Sequence, residues 1–113
     1  MKLEDLVPPL ELCKQLKQGE FEDSAMVWVQ NTQDGNAVFI DFRSVVECCG
    51  VHVDILAPAP TLAEIMAAMP DKHFYIFSAS PGRWVVVCGG GDSDVDENPA
   101  TAALRLYLEA RHE

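Results

Sequence analysis

Apolar residues recur along this chain with two periods, and each period predicts a different element. Leu62, Ile65, Met66 and Met69 fall at i, i+3, i+4 and i+7, the stripe of a helix lying on something apolar. Thr61 and Glu64 stand three apart at its start, the spacing of a capping box, and Pro60 and Pro70 bracket it. A helix over 61–69 follows. Ala100, Ala103, Leu104, Tyr107 and Leu108 form a second stripe, opened by Asn98 as N-cap and Pro99 at the first helical position. Leu106 falls off that stripe and predicts a second contact surface on the C-terminal helix. A third helix is expected from Pro9 to about Gln18, with Leu12, Cys13 and Leu16 on one face and Gly19 as its C-cap.

Elsewhere the period is two, or the run is apolar throughout. Ala25–Gln30 and Ala37–Phe42 are β-rich runs joined through Asp34-Gly35, a hairpin signal. Val51–Ile55 alternates, predicting a strand with His52 and Asp54 outward and Arg43–Gly50 as its connection. Phe74–Ala79 and Arg83–Cys88 flank Ser80-Pro81-Gly82. Both faces of that hairpin are apolar, so it is expected to be central or covered on both sides. Gly89–Glu97 reads as an acidic loop. The order is α-βββ-α-ββ-α. It predicts one α+β domain over residues 1–113, an antiparallel sheet of about five strands with helices packed on it.

Charge narrows the function classes. Eighteen acidic residues against eight basic give a net charge of −10, which argues against direct contact with nucleic acid or an anionic membrane. No apolar run approaches the length of a membrane span, and Met1–Asp5 lacks the start of a signal peptide. The chain is therefore read as cytoplasmic, with Cys13, Cys48, Cys49 and Cys88 reduced.

Asp92, Asp94 and Asp96 alternate as at the start of a Ca²⁺ loop, since a hard cation takes several oxygens. The sixth position is Glu97 and the twelfth Ala103, where such a loop needs Gly and Glu. Cys48, Cys49 and His52 are a second candidate metal set, but they lack the paired spacing of a zinc site. Gly89-Gly90-Gly91 lacks the Lys and hydroxyl residue of a phosphate loop. No nucleophile elbow is present, and no catalytic residue or cofactor is assigned. Trp84 and Tyr75, with Leu106, are the interface candidates, because exposed aromatic patches mark contact surfaces.

Val7-Pro8-Pro9-Leu10-Glu11-Leu12-Cys13, Gly19–Ser24, Pro58–Ile65 and Asn98–Leu108 resemble signature segments of short uncharacterised proteins encoded by bacterial phages and prophages. The resemblance spans nearly the whole chain apart from Arg43–Val53. It implies a genomic setting and carries no activity and no site residues. Three readings of function follow. The first is a non-catalytic protein-interaction module in the host cytoplasm, binding a host or phage protein, with self-association through the C-terminal helix as one form. The second is an acidic host-takeover or anti-defence protein that blocks a nucleic-acid-binding host protein. The third is a small metal-binding protein or enzyme.

Overall fold

A computed structural model of the chain describes residues 3–33, 37–49, 52–69, 74–88 and 93–110. The fold is α+β, as the order of elements predicts, but its strands divide into two antiparallel sheets of three. After a 3₁₀ turn at Leu3–Leu6 come α1 (Leu10–Cys13), β1 (Met26–Asn31), β2 (Val38–Phe42), α2 (Arg43–Cys49) and β3 (Val53–Pro58). Then follow α3 (Leu62–Ala68), β4 (Phe74–Ser80), β5 (Arg83–Cys88), β6 (Ser93–Asp96) and α4 (Pro99–Ala110). The first sheet has the order β2-β1-β3 and the second β4-β5-β6.

The best-defined local signals fold as expected. Thr61 caps α3 with both hydrogen bonds of the capping box present. Glu64 Oε1 accepts from the Thr61 N–H at 2.8 Å, and its other oxygen accepts from the Ala25 N–H at 3.0 Å, tying the helix to the start of β1. Asn98 accepts from the Ala100 N–H at 2.9 Å, and its amide donates to the Val7 carbonyl at 2.8 Å, holding the N-terminal segment against α4.

Other expectations are corrected. α1 has four residues and Pro9 is its N-cap. Beyond it the hydrogen bonds Gln15 N to Leu12 O and Leu16 N to Cys13 O tighten the chain into turns. Gly19, with φ +96°, then turns the chain rather than capping a long helix. Arg43–Cys49, expected as a connection, is the helix α2. Its buried Val46 packs on Val27 and Val29, covering one face of the first sheet. The third strand, expected at Val51–Ile55, starts two residues later and ends three later. Opposite Trp28/Val29 its register shifts, because Trp28 pairs with Ala57 and Val29 with Ile55. Leu56 is the extra residue of a bulge, so Ala57 turns to the Trp28 face while Ile55 is 44 % exposed. Ser93–Asp96, expected as loop, forms β6 by pairing with β5. The Asp34-Gly35 turn and Pro70 lie outside the described residues.

The largest core cluster joins both sheets. Ala57 from the first, Val86 from the second, Ile65 and Met69 from the α3 segment, and Ala100, Ala103, Leu104 and Leu108 from α4 pack together. Leu106 belongs to this cluster and is 4 % exposed, so it offers no outer surface. The reason is that α4 packs on β5 and β6, on α3 and on α1, and is therefore buried on more than one face. A second cluster, Val7, Met26, Ile40 and Ala59, fills the opposite face of the first sheet. Among the described residues no helix is long and apolar enough to cross a membrane.

Candidate functional site

The second sheet has one covered face and one open face. Its pairings place Ile76, Val86 and Asp94 in one row and Ser78, Trp84 and Asp96 in the next, on the side where Val86 and Ile76 meet α4. Tyr75 and Val87 form a row on the other side, and Phe77, Val85 and Val95 form the next. Among the described residues no helix covers these rows. Tyr75 is 70 % exposed, Phe77 49 % and Val95 37 %. The expectation that this hairpin is covered on both faces therefore gives way: α4 is long enough to cover one side, and no other described element packs on the second.

Charge is sorted between the faces. The carboxylates of β6 alternate with Val95, so both fall on the α4 side. There Arg105 meets Asp96 at 3.1 Å and Asp94 at 3.5 Å. A strand as poor in β-formers as Ser-Asp-Val-Asp is held by its ladder to β5 and its packing on α4, to which these partly exposed ion pairs add little. The strand residues of the open face include no carboxylate, in a chain of net charge −10. Arg83 stands at its turn end, paired with Ser80. Aromatic and β-branched side chains directly opposite each other stiffen such a face, so it is a firm apolar surface.

The remaining sequence candidates are not brought together as a site. Tyr75 lies on the open face and Trp84, 38 % exposed, on the other, while Leu106 is in the core. Asp94 and Asp96 are held by Arg105, and Asp92 lies outside the described residues. Cys48, at the end of α2, is exposed, as is His52 after it. The side chain of Cys49 lies outside the described residues. Among the described residues, no three of His, Cys, Asp and Glu form a group that could hold a metal ion.

Two recesses flank the loop between α1 and β1. One, of about 430 Å³, lies between Phe21, Glu22 and Asp23 and the Glu64–Ala68 side of α3. The other, of about 410 Å³, lies between Lys17, Glu22, Arg43 and Ile55. The loop is held firmly between them. The Tyr107 hydroxyl donates to Glu20 at 2.6 Å, the Lys17 N–H donates to the other Glu20 oxygen at 2.7 Å, and the Phe21 ring meets Tyr107 edge-on at 5.1 Å. Phe21 takes φ +57°, a left-handed conformation unusual for a bulky residue, and that ring contact helps hold it there. Ser24 beside the loop is 2 % exposed, and its hydroxyl donates to the Met26 carbonyl and accepts from Arg43 at 2.9 Å. Arg43 also donates to the Ser24 carbonyl, so this fork joins the loop to α2.

Cys13 is the described thiol whose chemistry departs most from the ordinary. It is 1 % exposed, and its Sγ lies 3.5 Å from the Pro8 carbonyl. Burial pushes the thiol from 9.0 up to about 12, with a hydrogen bond from Trp28 partly opposing. A raised folded value means that the unfolded chain loses this proton first. The stabilising contribution is complete below pH 9 and disappears as the pH climbs toward about 12. Urea midpoints at about pH 8 and about pH 10.5 should therefore fall more steeply for the wild type than for Cys13→Ala. Equal slopes would show that the thiol does not carry this dependence.

No family model, no curated protein and no solved structure matches the chain.

Proposed function

We propose that this protein is a non-catalytic interaction module that docks a protein partner on the open face of β4-β5-β6. The observation that carries the reading is the exposure of Tyr75, Phe77 and Val95 on one stiff face whose strand residues include no carboxylate. In a chain this acidic, charge spread over every face would maintain solubility and keep copies apart. Leaving one sheet face apolar exposes that surface to water, and such surfaces mark places where another molecule binds. Tyrosine and phenylalanine suit the role because they bring large contact areas with few rotatable bonds. The resemblance to phage and prophage proteins makes a host or phage protein in the host cytoplasm the natural partner. A reading in which the carboxylates themselves recognise a partner has less support: the exposed Glu4, Glu11, Glu47, Asp54 and Glu109 come from five different elements.

The test compares affinity capture by the wild type with capture by Tyr75→Ser/Phe77→Ser, both from the same cells. Aromatic anchors at the centre of an interface contribute about 2 kcal/mol or more, so a true partner should bind the variant about thirtyfold or more weakly. Matching circular dichroism of the two proteins guards against loss of fold. A partner held equally by both would overturn the reading.

A further inference from the structure

We propose that β4 is a self-pairing edge: two copies of this chain join antiparallel along it, about a twofold axis at Ile76, into one six-stranded sheet. The inference rests on the reading of this sheet as the interaction surface and names what meets its edge. Four strands lie at sheet edges, namely β2, β3, β4 and β6. Three of them carry acidic residues, Asp41 in β2, Asp54 in β3, and Asp94 and Asp96 in β6. Inserting charge is how edge strands are kept from pairing with another copy. β4, Phe-Tyr-Ile-Phe-Ser-Ala-Ser, has seven residues and neither a charge nor a proline. Its residues from Tyr75 to Ser80 are exposed except Ile76, which is half-buried.

The strand is complementary to itself. Its register shifts between Ser78 and Ser80, so the regular part of the edge runs from Phe74 to Ser78 and ends at a bulge. A twofold axis at Ile76 sets Phe74 opposite the second copy's Ser78, Ile76 opposite its own counterpart, and Tyr75 opposite Phe77. Two aromatic pairs then meet side by side on the open face, the cross-strand arrangement that stabilises sheets best. Electrostatics fits as well. Two chains of net charge −10 repel each other, and the residues of this edge add no carboxylate of their own to that repulsion. The contact is modest in size. Tyr75 and Phe77, with aromatic side chains of about 150–250 Å² each, offer roughly 200 Å² of uncovered apolar surface per copy. Even with the strand edges this falls short of the roughly 1,200 Å² of a stable specific interface, so the dimer should be weak and reversible. Pairing also sets the two open faces side by side, doubling the apolar platform.

Sedimentation velocity and light scattering on the whole protein test this. The mass should rise from 12.4 kDa toward twice that value over about 10 µM to about 1 mM. Adding salt should strengthen association by screening the repulsion between like-charged copies. Tyr75→Lys should return the protein to monomer even though it lowers the net negative charge, whereas Tyr75→Phe should keep the dimer. Circular dichroism would confirm that both variants fold. A mass that stays at 12.4 kDa at every concentration and salt overturns the proposal, as does a dimer that survives Tyr75→Lys. A monomer that still loses a captured partner on Tyr75→Ser/Phe77→Ser refutes self-pairing alone and leaves the docking face standing.

Discussion

Leu106→Glu is expected to unfold the domain. Leu106 is 4 % exposed and lies in the cluster that joins the two sheets through α4. The substitution removes a buried leucine, whose truncation alone costs about 2–5 kcal/mol, and adds a carboxylate with no partner there. The combined cost is on the order of 5 kcal/mol or more, comparable with the whole net stability of a domain of this size. Near-UV circular dichroism should lose its fixed tertiary signal at neutral pH, and the urea transition should be absent or displaced to very low denaturant. Leu106→Met, which nearly conserves volume, should cost less than about 1.5 kcal/mol. A Leu106→Glu protein with an unchanged urea midpoint would mean that this side of α4 faces water. The experiment thus separates a core position from the outward contact that the helical stripe alone suggests.

Glu64→Ala should give the second largest loss, about 2 kcal/mol, seen as a fall in Tm of several degrees. One oxygen of this side chain accepts from the Thr61 N–H and hydroxyl, and the other accepts from the Ala25 N–H across the fold. The first set is the capping box, worth about 1 kcal/mol. The Ala25 bond is a charge-assisted link at an exposed amide, so it adds a comparable or smaller amount. Glu64→Gln separates the two. Its single carbonyl oxygen can keep the cap, but its amide then presents a donor to the Ala25 donor. The Gln variant should therefore lose about half as much as the Ala variant. Thr61→Ala combined with Glu64→Ala should be less than additive, because both remove the same reciprocal pair. If Gln and Ala lose equally, the whole loss belongs to the Ala25 link and the cap carries nothing. If Gln loses nothing, the link to Ala25 carries nothing.

The open face of the second sheet was only partly legible. Tyr75 and Trp84 stand out as aromatics in strands, yet they fall on opposite faces, and only Tyr75 lies on the open one. Phe77, Val85, Val87 and Val95 complete that face. The alternation of β4 and β5 separates Tyr75 and Phe77 from Ile76, but two apolar faces look alike until one is covered. Val95 was hidden further, because it sits between two aspartates in a segment with the composition of a loop. Its place is set by the ladder to β5, a pairing between segments that local composition does not reveal, with Arg105 meeting both aspartates on the opposite face.

Local residues alone specify the features carried by hydrogen bonds a few residues apart. Thr61 and Glu64 specify where α3 begins, Asn98 and Pro99 where α4 begins, and Ser80-Pro81-Gly82 where β4 turns into β5. Tertiary structure decided the rest. It made a helix of Arg43–Cys49, whose buried anchor Val46 finds value only against Val27 and Val29. It made a strand of Ser93–Asp96 and inserted the bulge at Leu56 that reverses the facing of β3. It also buried Leu106 and left Tyr75 in water. A stripe or an alternation says that a face is apolar. Which apolar face is covered depends on where one helix, α4, comes to rest, and that is settled by packing between residues far apart in the chain.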